Sequence, residues 1–283
     1  MQLKFTKMHG LGNDFLVLEL VTQNFDLTPE LIRTWGDRRT GIGFDQLLIV
    51  RPPSNPETDF RYQIFNVDGT EAQQCGNGAR CIAKYVTHVG LTIKNSLRMD
   101  APSGIVNTSI LEIAVDSPNT SIVRVDMGVP CTKPSVIPFL TDEPAVTYTV
   151  DIGSHEIEFV PLSMGNPHAV VIVDDINDAP ITEWARTLQT NNRFPEGVNV
   201  GFMQIVDRQF VRLRVVERGV GETLACGTGA CAGVVAGRLL GKLDDRVKVS
   251  LPGGKLRVAW QGESSIVEMI GPATWVYDGE LRI

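Results

Sequence analysis

The chain says one thing twice. "EAQQCGNGARC" (71–81) returns as "ETLACGTGAC" (222–231), a Cys-Gly-x-Gly-Ala turn with a glutamate four residues before the cysteine each time. The repetition extends well beyond the turns. "GNDFLVL" (12–18) lies over "GNPHAVV" (165–171), which sets Asn13 over Asn166 and Phe15 over His168. The same offset of 153 sets Gln46 over Asn199, and after one two-residue slip Asn66 falls over Glu217 and Cys75 over Cys226. Two copies of one plan are the simplest account of a period this long.

Short runs rich in Val, Ile and Leu, bounded by Gly, Pro, Asn or Asp, read as strands: 15–20, 46–50, 61–65, 109–115, 121–127, 169–173, 210–216, 247–251 and 265–270. Helices are fewer. Thr28 and Pro29 open one over 29–35. Two follow the cysteine turns, at about 77–89 and 228–240, and stop near Gly90 and Gly241. A fourth runs from Pro180 to about Leu188. Each half thus reads strands, helix, strands, helix, strands. The turn cluster "DSPNT" (116–120) marks the seam, dividing the chain into 1–118 and 119–271.

Composition narrows the function classes. A net charge of −7 argues against a nucleic-acid or anionic-membrane surface. No apolar run is long enough for a membrane span, and the first residues lack the basic start and apolar core of a signal peptide, so a cytoplasmic location is expected. Five cysteines do not make a secreted disulfide framework.

A cysteine just before a helix stands among unpaired N–H groups and about half a positive charge. That setting favours the thiolate and binds an anion such as a carboxylate; the neighbouring glycines let a ligand come close. Two such ends facing one α-carbon would put an acid on one face and a base on the other. Cysteine suits the task because thiol and thiolate are both accessible near neutral pH, and the helix dipoles would stabilise enolate-like charge on the carboxylate. Inversion at an amino acid α-carbon is the reaction class this geometry serves.

"KMHGLGNDFLVLE", "FNVDGTEAQQCGNGARC", "SMGNPHAVV", "GVNVGF", "VVERGVGETLACGTGAC" and "GPATWVYDGE" closely resemble the diaminopimelate epimerase family, in blocks spanning residues 7 to 280. The resemblance implies an α+β fold of two similar domains, each a curved, mostly antiparallel sheet around a central helix. The active site would lie in the cleft between them, and residues 272–283 would return to the first half. It implies interconversion of LL- and meso-2,6-diaminopimelate, for lysine and peptidoglycan synthesis, without pyridoxal phosphate, other cofactor or metal. In the family's usual assignment Cys75 is the proton donor and Cys226 the acceptor. Substrate contacts carried over are Asn13, Gln46, Asn66, Gly76, Asn77, Asn166, Asn199, Glu217, Arg218, Gly227 and Thr228. His168 and Glu217 would adjust the cysteines' protonation. The family is typically a homodimer, with Tyr277 at the contact.

Other readings compete. Cys81 and Cys231 sit a turn or more into their helices and read as packing residues, and Cys131 has no motif. A zinc site from the two cysteine pairs is disfavoured, since five residues separate Cys75 from Cys81. Another cofactor-independent two-cysteine racemase, such as one for proline, needs fewer polar partners than the Asn-rich set with Glu217 and Arg218 provides. A thiol-redox or metal-binding module leaves the paired asparagines unexplained.

Overall fold

The computed structural model describes residues 2–72, 75–102, 104–114, 116–152 and 155–282. The chain forms a two-domain α+β fold with two compact units: Met1–Asp126 with Ile270–Ile283, and Met127–Met269.

The first unit contains β1 (Gln2–Gly10), β2 (Asn13–Glu19), α1 (Pro29–Gly36), β3 (Gln46–Arg51), β4 (Phe60–Asn66), β5 (Glu71–Ala72), α2 (Gly76–His88), β6 (Ser96–Ala101), β7 (Gly104–Ile113) and β8 (Thr120–Asp126). The second contains β9 (Tyr148–Ile152), β10 (His155–Ser163), β11 (Pro167–Ile172), α3 (Ile181–Gln189), β12 (Asn199–Asp207), β13 (Phe210–Glu217), β14 (Gly221–Thr223), α4 (Gly227–Leu239), β15 (Arg246–Leu251) and β16 (Gly254–Ala259). A long strand, β17 (Glu268–Arg282), then supplies the returning segment of the first unit.

The units share one pairing scheme. In the first, β2 runs parallel to β3, β3 antiparallel to β4, β4 parallel to β6 and β6 antiparallel to β7. In the second, β11, β12, β13, β15 and β16 pair in the same order with the same directions. Within the first unit the ladder closes on itself, because β7 pairs with β8, β8 with β17, β17 with β1 and β1 with β2. Closure leaves the strands of this ring without an open edge at the ends of the ladder.

In each unit the parallel strand pair is covered on both faces, and the sequence shows why. Leu47–Val50 are all buried, with α1 residues Ile32 and Trp35 among the side chains packed on one face and α2 lying against the other. Ala169, Val170 and Val171 lie likewise between α3 and α4. A strand buried on both sides has no polar face, so these parallel pairs read as continuous apolar runs rather than alternating ones.

The central helices begin one residue earlier than the glycine-rich pattern predicts, because each cysteine is itself the N-cap. Gly90 and Gly241 follow their ends at φ of 76° and 69°, a conformation that favours glycine. The expected seam at 118/119 falls before β8, but β8 pairs with β7 and β17, so the division lies between Asp126 and Met127. The strand expected at 109–115 is the later half of β7; Val115 lies outside the described residues, as do Gln73 and Gln74 of the first cysteine motif.

Candidate active site

Both cysteines take extended backbone angles, φ −148° and ψ 104° at Cys75, φ −109° and ψ 112° at Cys226. Each sulfur accepts a helix N–H: Cys75 Sγ from Gly78 at 3.3 Å, Cys226 Sγ from Gly229 at 3.4 Å. Charge on the sulfur is therefore met by the positive end of a helix. The second glycine of each turn serves packing. A Cβ at Gly78 would stand 2.9 Å from Leu48 Cδ2, and one at Gly229 would stand 2.9 Å from Val215 Cγ2. Only glycine lets the helix start lie this close to its strand.

In the first unit Asn13, at the start of β2, brings its Oδ1 to 3.9 Å from Cys75 Sγ and accepts from Asn77 Nδ2 at 3.2 Å. Gln46 and Asn66 face each other across β3 and β4, with Gln46 Nε2 donating to Asn66 Oδ1 at 3.0 Å.

In the second unit His168 is fully buried on β11. Burial pushes its pKa down to about 3, so the ring is neutral. Its Nε2 lies 3.0 Å from Asn166 Oδ1, an acceptor, and so carries the ring proton. Asn166 Nδ2 then donates to Thr228 Oγ1 at 3.4 Å, which leaves the hydroxyl proton free to point at Cys226 Sγ, 3.5 Å away. Asn199 pairs with His168 across the parallel ladder, donates to Pro167 O at 3.2 Å and accepts the Arg218 N–H at 2.9 Å. Burial pushes the Cys226 thiol well above its ordinary range and the neighbouring Glu217 carboxylate pushes the same way; the Thr228 hydroxyl and Gly229 N–H pull it back. Glu217 accepts from Thr223 Oγ1 at 2.6 Å.

These two constellations, on matching elements of two like units, have known relatives. The family model described as diaminopimelate epimerase matches residues 5–132 and 160–276. The chain is 53% identical to the diaminopimelate epimerase of Azotobacter vinelandii and 51% to that of Ectopseudomonas mendocina, each over 283 residues covering all of both chains. The chain belongs to the diaminopimelate epimerase family. The family fold extends to a hydroxyproline epimerase of Agrobacterium vitis, solved with trans-4-hydroxy-L-proline bound. That structure aligns with a TM-score of 0.72 at 14% identity, over 99% of this chain and 92% of the other.

Against the roles suggested by the family resemblance, the structure adds detail. His168 has no charge to offer near neutral pH, and a run of hydrogen bonds leads from it through Asn166 and Thr228 to Cys226. Arg218 Nη1 donates to Glu196 O, and its stem passes so close to Gly197 that a Cβ there would stand 2.8 Å from Arg218 Cδ. Tyr277 lies on β17, with its half-exposed ring edge-on to Phe5 at 6.2 Å. Among the described residues no group of three or more His, Cys, Asp or Glu is arranged to hold a metal ion, and no helix is long and apolar enough to cross a membrane. Two residues tied to the first site escaped sequence reasoning: Arg80, one turn into α2, and Asp45, which accepts from Asn13 Nδ2 at 3.1 Å. The only trace of Arg80 in the sequence is its spacing, three residues after Asn77 on a helix.

Proposed function

We propose that this chain interconverts LL- and meso-2,6-diaminopimelate, with Cys75 and Cys226 as the acid and base on the two faces of the α-carbon. The observation that carries the reading is the pair of cysteine N-caps, each sulfur accepting a helix N–H. Backbone N–H groups at a helix start suit a substrate carboxylate whose charge grows as the α-proton leaves, so this chemistry needs neither pyridoxal phosphate nor metal. Asn13, Gln46, Asn66, Asn77, Asn166, Asn199, Glu217, Arg218 and Thr228, with the backbone of Gly76 and Gly227, are the substrate contacts on this reading. Burial and the Glu217 charge together hold Cys226 protonated, and an ammonium group against Glu217 would cancel the second of these and ease that thiol's ionisation. We further read the protein as a cytoplasmic homodimer with Tyr277 at the contact, in lysine and peptidoglycan synthesis; sedimentation of Tyr277→Ala against wild type tests the dimer.

The decisive experiment is turnover of LL-diaminopimelate in D2O, with proline as the control substrate. A thiol carries a solvent deuteron, whereas a thiolate receives the substrate's own proton. Early meso product should therefore hold deuterium at the inverted carbon while recovered substrate holds almost none. Product that keeps its original hydrogen, or faster turnover of proline, overturns the reading.

A further inference from the structure

We propose that Arg80 and Asp45 are positioning residues that fix the direction of the hydrogen bonds around Cys75, so that Asn13 turns its carbonyl oxygen toward the thiol. A side-chain amide reads equally well in two orientations until a partner of single character fixes it. Here both ends of the chain of amides are of single character. Arg80 is fully buried and can only donate; its Nη2 takes Asn77 Oδ1 at 2.7 Å, while Nε reaches Pro272 O at 3.1 Å and Nη1 reaches Gly76 O at 3.5 Å. With its oxygen taken, Asn77 directs Nδ2 to Asn13 Oδ1, and Asn13 directs Nδ2 to Asp45 Oδ2. A carboxylate can only accept, and Asp45 is kept in place by the Asp14 N–H at 3.1 Å and by Arg38 Nη2 at 2.8 Å. Asn13 Oδ1 is thereby an acceptor beside Cys75 Sγ, a place for S–H and not for a bare thiolate. Gly10 makes room for the arrangement: a Cβ there would stand 3.0 Å from Arg80 Nη2.

The second unit has neither end. Val198 stands at the position of Asp45 and Cys231 at that of Arg80, and the corresponding amide runs the other way, Asn166 donating to Thr228. One thiol faces an acceptor and the other a hydroxyl proton. This proposal rests on the reading of Cys75 as an acid–base thiol.

The test uses the full chain and iodoacetamide at fixed pH, with rates at Cys75 and Cys226 followed separately by peptide mass spectrometry, so it needs no substrate. Asp45→Asn frees Asn13 to offer Nδ2 to the sulfur, and Cys75 should alkylate about threefold faster or more while Cys226 keeps its rate. Asp14→Asn removes a like charge from the same Arg38 without touching the Asn13 amide, and should accelerate Cys75 less. Unchanged rates in Asp45→Asn, or equal acceleration by Asp14→Asn, overturn the proposal. In turnover, Arg80→Met should lower kcat about tenfold and add nothing to the loss in Asn77→Ala, since it acts through that amide; additive losses overturn it. Should Arg80→Met not fold, the alkylation of Asp45→Asn decides. Wild type that takes up no deuterium from D2O defeats the functional reading alone, and the alkylation rates still decide this one.

Discussion

The starts of α2 and α4 share a backbone and differ in charge. Both are capped by cysteine, both press a glycine on a strand, and both are buried through most of their length. Yet α2 buries Arg80 and Lys84 where α4 has Cys231 and Val235, Asn66 on β4 is answered by Glu217 on β13, and Phe15 by His168. Cys75 is partly exposed while Cys226 is buried. On the proposed two-thiol mechanism, duplication would supply like groups for the two faces of one carbon. That mechanism also requires the two thiols to differ by one proton at any moment, a difference that would come from the residues in which the copies diverge.

Glu217→Gln strikes at this divergence most directly. Catalytic efficiency should fall more than about tenfold, or about 1.4 kcal/mol. The sign of the accompanying pH effect follows from the charge: a carboxylate favours the neutral thiol, so its loss should let the Cys226 thiolate form at lower pH. Alkylation of Cys226 across pH should show its midpoint moving down while that of Cys75 stays. A midpoint that stays or rises breaks the assignment of Glu217 as the charge that separates the two sites.

Gly78→Ala and Gly229→Ala probe what the units share. Each new methyl would stand 2.9 Å from a strand side chain, and each should cost about 1–3 kcal/mol of stability, with similar falls in Tm. A large loss at one and none at the other would show that the common backbone is less alike than its pairing.

The smallest expected effect is the pH dependence contributed by His168. Burial holds its folded pKa at about 3 against an ordinary imidazole value of 6.5, so the unfolded chain binds the extra proton between these values. The neutral ring stabilises the fold fully above pH 6.5, and that stability drains as pH falls toward 3, by about 1 kcal/mol over the first unit. His168→Phe, which restores the residue of the first copy, should flatten this acid limb in denaturant titrations. An unchanged acid limb would show that another group produces it.

Much of the architecture was legible because it is periodic. Apolar runs covered on both faces, cysteines at a fixed offset and asparagines in register all repeat, and repetition separates signal from accident. Arg80 and Asp45 have no counterpart in the second copy, so alignment of the halves passes over them. Arg80 also depends on Pro272, 192 residues away, a contact that no local pattern records. The seam was misplaced for a similar reason: the turn at 116–120 is visible, but the ladder joining β8 to β17 is long-range. The second glycine of each motif was read as room for ligand, because its strand neighbours, Leu48 and Val215, appear only once the chain is folded.

The ring of strands in the first unit carries a consequence for how the chain is made. Its closing strand, β17, is encoded after the whole of the second unit, and Thr6 finds Asp278 only across 272 residues. During synthesis the second unit can complete its own ladder while the first waits as an unclosed sheet, with the helix that bears Cys75 lacking part of its wall. Contacts this distant are slow to form, and an unclosed sheet leaves edges open to other chains. The first cysteine site can thus be completed only once the last residues of the chain have been made.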